Sequence, residues 1–421
     1  MQNPSGLIEL GSIEHNPWSP LSISLYRNFW LAGLLSNVGT LMHEAGAQWL
    51  MTDLSNSPEM VSAVRAAMTL PVFFFALPAG VIADRLDRRT WLLCTQSSLL
   101  LVATIMAITD LLGLMTPLWL LSLTACMGTA TILNQPAWQA LTPELVPREL
   151  VPTAVATGSV SFNLARAIGP AVGGLLIASC GTWATFLFNA ASFAGVILVL
   201  VLWKPQSDLA LGESSGSFWF ALVDGLRFVV ARVELRSVLI RVVGFAFSAS
   251  ILWSLLSLVA KEKLQLQASG FGGLLATIGF GAVWGAWLVA PLRRIWTSER
   301  IVLVSSAMYA AVCGLISFSR SIPIVTAGLV FIGISWLACM TTLNATAQMH
   351  LPANYRARGM ATYLMAFAFG MSCGSVFWGW LATSHGLDIS FALASITMLA
   401  FSAGAHRLRL GSLSTQFATR N

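Results

Sequence analysis

The chain has 421 residues, of which 56% are hydrophobic and only 10% charged. So little polar surface cannot solvate a globular protein of this size, which excludes a water-soluble enzyme or binding domain and makes lipid the solvent for most of the chain. The net charge of +6 is therefore a question of where cations fall along a membrane protein; a nucleic-acid partner would need a soluble basic face that this chain does not have.

Residues 1–24 carry Glu9, Glu14, Pro17 and Pro20, with no basic start and no short apolar core. They read as a tail and not as a cleaved signal peptide. Crossing a hydrocarbon core of about 30 Å takes about 20 helical residues. Apolar runs of that length recur at 25–52, 60–83, 90–110, 117–140, 150–179, 182–203, 236–260, 269–292, 300–319, 322–349, 357–383 and 387–406. The fold expected is an all-α membrane protein with twelve transmembrane helices. Its parts are the tail, a six-helix bundle over 25–203, a linker over 204–235, a second six-helix bundle over 236–406 and a tail over 407–421. In the linker, Trp219, Phe220, Leu222, Val223, Leu226, Val229, Val230 and Val233 recur at helical spacing, with Asp224, Arg227 and Arg232 on the other side. Residues 217–234 therefore read as an amphipathic helix on the membrane surface. The six cysteines, at 94, 126, 180, 313, 339 and 373, have neither paired spacing nor neighbouring His ligands, so no disulfide framework, metal or other cofactor is expected.

Orientation follows from the Lys and Arg residues. With both termini on the cytoplasmic side, eighteen of the 23 fall in inner segments. Only Lys261, Lys263 and Arg320 lie outside, while Arg65 and Arg166 lie within spans. This asymmetry predicts a cytoplasmic location for both ends.

The two halves resemble each other. Thr131-Ile-Leu-Asn134 returns as Thr341-Thr-Leu-Asn344, and Pro143 and Arg148 return as Pro352 and Arg356. Gly169 to Gly174 is echoed weakly by Gly370-Met-Ser-Cys-Gly374. Offsets of about half the chain are what a duplication leaves, and two repeats related about the membrane normal imply halves that rock around a central site.

Two strings carry the strongest signal. Gly80-Val-Ile-Ala-Asp84-Arg85-Leu-Asp87-Arg88-Arg89 resembles the loop 2–3 signature of the major facilitator superfamily, Gly-x-x-x-Asp-Arg-x-Gly-Arg-Arg, with Asp87 in place of the last glycine. Gly169-Pro170-Ala-Val-Gly173-Gly174 resembles the Gly-Pro-x-x-Gly-Gly element that exporters and antiporters of the superfamily carry in span 5. The first string implies a cytoplasmic latch between the halves, formed by Gly80, Asp84, Arg85, Arg88 and Arg89. The second implies a helix bend at Gly169, Pro170, Gly173 and Gly174: proline loosens the helix and glycine admits a close neighbour. Ala47-Gln-Trp-Leu-Met-Thr, Leu77-Pro78-Ala-Gly80 and Asn134-Gln-Pro136-Ala-Trp138 are similar to the branch containing enterobactin-type siderophore exporters and macrolide efflux proteins.

Four ionisable residues are embedded in spans: His43, Glu44, Arg65 and Arg166. Each such charge costs roughly 2.5–3.5 kcal/mol on insertion scales, so each is a functional hypothesis. Glu44 and Arg65 are nearly equidistant from the turn between spans 1 and 2 and so share a depth. The pair is the candidate for proton coupling, the alternative being a permanent pair that fixes packing. His43 lies about 100° round the helix from Glu44 and reads as a packed neutral side chain. Arg166 serves either an anionic substrate or the carbonyls near the Gly-Pro bend. In the superfamily, helices 1, 4, 7 and 10 line the cavity. Here they offer Asn37, Thr40 and Gln48; Thr131, Asn134, Gln135 and Trp138; Trp253; and Asn344 and Gln348.

The function this implies is secondary active export of a small amphipathic molecule (drug, siderophore or related metabolite) across a bacterial inner membrane by alternating access and proton antiport. The partners expected are that substrate, protons and membrane lipid, with the protein a monomer. Alternatives are a lysophospholipid flippase of the same fold or a non-transporting receptor. The five histidines do not cluster, Glu44 is the one embedded acid, and no phosphate-binding glycine-rich loop with Lys is present, so neither an enzyme nor a nucleotide-driven pump is indicated.

Overall fold

The computed structural model describes residues 18–203, 227–229, 231–352 and 355–405, and among these only helices, short 3-10 and π-helical turns and connections occur. Six helices precede the linker: α1 (Ser24–Leu54), α2 (Pro58–Arg85), α3 (Arg88–Leu111), α4 (Pro117–Leu141), α5 (Val151–Cys180) and α6 (Thr182–Leu202). After it come α7 (Val233–Leu258), which ends in a π-helical turn over Val259–Lys263, then α8 (Ala268–Ile295), α9 (Ser298–Phe318) and α10 (Ile322–His350). The last helical stretch, Arg356–Ala405, is broken by Gly386 at φ 83°, which divides it into α11 (356–385) and α12 (387–405). Most of the proposed linker helix lies outside the described residues.

Local sequence explains the helix starts. Proline opens α2, α4, α5 and α10, where its fixed φ suits the first turn and its missing N–H is not needed. Thr116 and Thr297 cap α4 and α9 through their side-chain oxygens, satisfying backbone donors that the helix cannot. Gly181 joins α5 to α6 at φ 101° and ψ 170°, and Gly386 joins α11 to α12 in nearly the same conformation, φ 83° and ψ 166°. A side chain would be strained at both positions. The two joints occupy equivalent places in the two halves.

Ten of the described stretches are long and apolar enough to cross a membrane, the last of them covering both α11 and α12. The twelfth helix is α1, which has the length, 31 residues, but falls short in apolarity because its middle carries Asn37, Thr40, His43, Glu44 and Gln48. Of its polar residues His43 and Gln48 are buried and Asn37, Thr40 and Glu44 half-buried, and α1 packs on α5 and α6.

Packing repeats between the halves. In the first, α1 lies on α5 and α6, α2 on α4, and α3 on α4 and α6. In the second, α7 lies on the Arg356–Ala405 stretch, α8 on α10, and α9 on α10 and on that stretch. The contacts between bundles also exchange under the repeat: α2 meets α11, through Thr69 Oγ1 and Ser372 Oγ at 2.8 Å, and α5 meets α8.

The bundles are closed on one face and parted on the other. The face carrying the α2–α3 connection holds Arg88, Arg89, Arg148, Arg293, Arg294 and Arg300 and is here called the basic face; the opposite one is the far face. Toward the far face α5 is covered on two sides, Gly169 and Gly173 against α1 and Gly174 against α8. Toward the basic face only one stripe of α5 is buried, Ala154, Thr157, Ser161 and Ala165, held to α1 by Tyr26 and Trp30, which donate to the Ala154 and Thr157 carbonyls. Val155, Val160, Phe162 and Leu164 on its other sides are exposed.

Candidate functional site

Between the bundles lies a cavity of about 70 Å³, bounded by α1, α2, α4, α5, α7 and α8. Its charged residues come from the first bundle. Arg65 of α2 donates from Nη1 to Glu44 Oε2 of α1 at 3.3 Å. The two side chains keep 19% and 32% of their surface, so the pair is neither sealed in protein nor fully hydrated. The other side of the Arg65 guanidinium lies over the Trp253 ring of α7, 5.3 Å from its centroid. Arg166 of α5 is stacked on Phe162 at 5.0 Å and lies within electrostatic reach of both Glu44 and Arg65. It makes no hydrogen bond or ion pair among the described residues, so two guanidinium groups stand in electrostatic reach of one carboxylate; of the three residues, Glu44 and Arg65 line the cavity.

One turn beyond Glu44, the far end of the cavity is sealed. Gln48 donates from Nε2 to the Ser254 carbonyl of α7 at 2.6 Å and to the Val61 carbonyl at 3.2 Å. Thr52 donates to Ser257 Oγ at 2.8 Å. Above them Trp49 stacks on Phe271 of α8 at 5.7 Å, and Lys261, carried by the π-helical turn, donates to the Thr52 carbonyl and pairs with Asp53. Gln48, which lines the cavity, is thus also a tie between the bundles in this conformation. Glycine is required at the α5–α8 crossing: a Cβ built on Gly174 would meet Gly272 Cα at 2.7 Å. Pro170 leaves α5 unbroken over its 30 residues.

Other cavity candidates separate into two groups. Thr131, Gln135 and Gln348 are exposed toward the basic face, Gln348 donating to Asn344 Oδ1 at 2.6 Å. Asn37 is half-buried. Trp138 sits edge-on to Phe29 at 6.3 Å. Two residues turn away from the cavity into their own bundle: Thr40 reaches Asn189 of α6 at 3.5 Å, and Asn134 accepts from Thr95 at 2.9 Å and Gln96 at 3.3 Å, both on α3. Helical periodicity put them on a polar stripe, but a stripe wider than one interface also serves neighbours within the bundle. His43 is buried edge-on to Phe186 at 4.7 Å, with neither ring nitrogen bonded.

The latch string differs from its expected role in the part that can be described. Arg88 pairs with Glu144 in the α4–α5 connection, and Arg89 donates to the Leu200 and Val201 carbonyls at 3.0 and 2.8 Å. These arginines brace the first bundle internally, Arg89 by satisfying carbonyls at the end of α6. Asp87, which replaces the signature glycine, is the N-cap of α3 and accepts from Thr90 N at 2.8 Å. That bond holds its carboxyl below the usual carboxylate range, with the nearby Arg89 acting in the same direction. The Asp84 and Arg85 side chains lie outside the described residues, and a Cβ on Gly80 would meet nothing.

Two repeated six-helix bundles closed on one face over a cavity lined by a half-buried ion pair are the architecture of a major facilitator transporter. The family model described as transmembrane secretion effector matches residues 15–421, and the chain belongs to this family of the major facilitator superfamily. It is 23% identical to the staphyloferrin A transporter of Staphylococcus aureus over 88% of its own length and 93% of the relative's. It is 24% identical to the multidrug efflux pump Tap of Mycolicibacterium fortuitum over 87% and 91%. Among solved structures, the inward-facing, occupied form of a bacterial homologue of the human lysosomal transporter Spinster superposes with a TM-score of 0.71 at 15% identity, over 93% of this chain and 98% of that one. The protein is a multi-pass efflux transporter of small molecules and not an enzyme.

Proposed function

We propose that the protein exports a small amphipathic molecule from the cytoplasm across the bacterial inner membrane by proton antiport, with Glu44 as the proton-carrying group and Arg65 as its switchable partner. The observation that carries this reading is the half-buried Glu44–Arg65 pair, directly inside the seal between the bundles. Desolvation favours the neutral acid and an adjacent guanidinium favours the carboxylate. A movement that withdraws Arg65 with Trp253, or hydrates one side, therefore tips the balance between proton uptake and release. The positive-inside bias supports assigning the basic face to the cytoplasm, which makes the conformation described here inward-open. Siderophore and drug transporters among the relatives support an amphipathic cargo.

The test is transport of an amphipathic dye into inverted vesicles bearing the protein. Accumulation that requires an inward-acid interior and collapses with a protonophore supports the reading; accumulation indifferent to the pH gradient overturns it.

A further inference from the structure

The repeat that relates the two bundles carries the ion pair onto unlike residues. Helices α1 and α7 begin 209 residues apart, at Ser24 and Val233, and α2 and α8 begin 210 apart, at Pro58 and Ala268. At these offsets Glu44 corresponds to Trp253 and Arg65 to Leu275. All four line the cavity, with Phe271 of α8. The first bundle therefore brings the charge to the wall, and the second brings an indole, a phenyl ring and an alkyl side chain. The two meet at Arg65, whose guanidinium lies over the Trp253 ring, 5.3 Å from its centroid. Trp336 of α10 meets that ring edge to face at 5.1 Å and braces it within the second bundle.

Arg65 is shared between two partners. Its bond to Glu44 uses one nitrogen at 3.3 Å, which is longer than the about 2.7–2.9 Å of a charge-assisted pair and short of the bidentate form open to Arg and a carboxylate. The face of Trp253 attracts the same cation. The cavity is about 70 Å³, less than the roughly 150 Å³ that admits a benzene ring, so a ring from the cargo reaches the Trp253 face only by taking the place of Arg65. We propose that Trp253 is the exchange point between cargo and proton, and that the cargo presents an uncharged aromatic ring system to it. While Trp253 holds Arg65, Glu44 keeps its proton. A cargo ring in contact with Trp253, at the about 4.5–7 Å of aromatic pairs, sends Arg65 wholly to Glu44. The completed pair favours the carboxylate, and the proton leaves the Glu44 carboxyl for water on the basic face. The other charged group in electrostatic reach is Arg166 of α5; α4, α7 and α8 bring Thr124, Trp253, Phe271 and Leu275, none of them charged, and His43 is packed on Phe186 of α6. The inference rests on Glu44 as the proton carrier, as proposed above, and adds the residue through which cargo moves that proton and the chemistry the cargo offers it.

The experiment is proton release on binding to the purified full chain in nanodiscs, with no gradient, in weakly buffered solution with a pH indicator. The probe is N-phenyl-1-naphthylamine, an aromatic amphiphile uncharged at neutral pH, and empty nanodiscs are the blank. Wild type should release protons in proportion to the probe bound. Trp253→Leu should bind the probe about fivefold more weakly, as expected for loss of one ring contact, and should release none even at saturation. Trp253→Phe, which keeps a ring face, should restore both and guards against a folding defect in the leucine variant. Leu275→Ala should weaken binding yet keep the release per probe bound, because Leu275 belongs to the wall and not to the Arg65 exchange.

No binding of the probe, binding without proton release in wild type, or release per bound probe unchanged in Trp253→Leu overturns the proposal. So does release lost equally in Leu275→Ala, which is what any damage to the wall would give. Glu44→Gln separates this inference from the reading it rests on. Release that persists in Glu44→Gln removes Glu44 as the carrier, whereas release lost in Glu44→Gln but kept in Trp253→Leu removes only the exchange at Trp253.

Discussion

A single methyl group at the α5–α8 crossing should shift the conformational equilibrium of this transporter. A Cβ at Gly174 would stand 2.7 Å from Gly272 Cα and 2.9 Å from the Ala268 carbonyl oxygen, whereas carbon atoms pack at about 3.5–4.0 Å. Both obstacles are backbone, so α5 and α8 must separate by about 1 Å. Overpacking of this kind costs about 1–3 kcal/mol, and the cost falls only on the conformation in which the far face is closed. The better helix propensity of alanine, worth up to about 1 kcal/mol, acts in both conformations and cancels. Gly174→Ala should therefore lower the ratio of far-face-closed to far-face-open molecules by about 5- to 150-fold, at 1.4 kcal/mol per factor of ten. Spin labels at the exposed positions Ala178 and Gln267, in a background without the six native cysteines, would report the separation of the two helix ends. Gly195, where an added Cβ meets nothing within 4 Å, provides the control. A distance distribution in Gly174→Ala that matches both wild type and Gly195→Ala would refute the reasoning.

Removing the Gln48 tie should act in the same direction. Gln48→Ala deletes the bond to the Ser254 carbonyl, and the same label pair should move apart, with about 1 kcal/mol as the scale for a lost hydrogen bond. At the basic face, Asp87→Ala should lower stability by about 0.5–2 kcal/mol, the usual range for an N-cap, without altering the label distances. The Asp87 carboxyl is held below its ordinary value of 3.8. Its contribution is therefore complete above that value and is lost as pH falls through the depressed one. The gap in Tm between wild type and Asp87→Ala should be full at pH 7 and narrow on acidification below about pH 4.

The architecture was legible because its determinants are local or periodic. Apolar runs marked the helices, and the doubled motifs marked the duplication. Helix α1 shows the limit of hydropathy: its own polar stripe removes it from the apolar spans, yet its length and its place against α5 and α6 make it a full member of the bundle. The depth argument for Glu44 and Arg65 worked because a hairpin of two helices fixes relative height by counting from the turn. Rotation about the helix axis is harder to read. Thr40 and Asn134 sit on polar stripes but serve Asn189, Thr95 and Gln96, and Gln48 crosses to α7, a contact more than 200 residues away in sequence. In the loop signature, Asp87 had a readable role: an acidic residue directly before a helix, three residues ahead of a free backbone N–H, is an N-cap whatever the family pattern prefers there.

The central claim is that Glu44 carries the coupling proton, and its most direct test is to compare two modes of transport in Glu44→Gln proteoliposomes. Glutamine keeps the size and a hydrogen bond to Arg65 but cannot titrate. The account predicts that exchange of labelled for unlabelled dye at equal concentrations persists, while uphill transport driven by a pH gradient is lost. Uphill transport at the wild-type rate in Glu44→Gln would contradict it and leave the Glu44–Arg65 pair a fixture of helix packing.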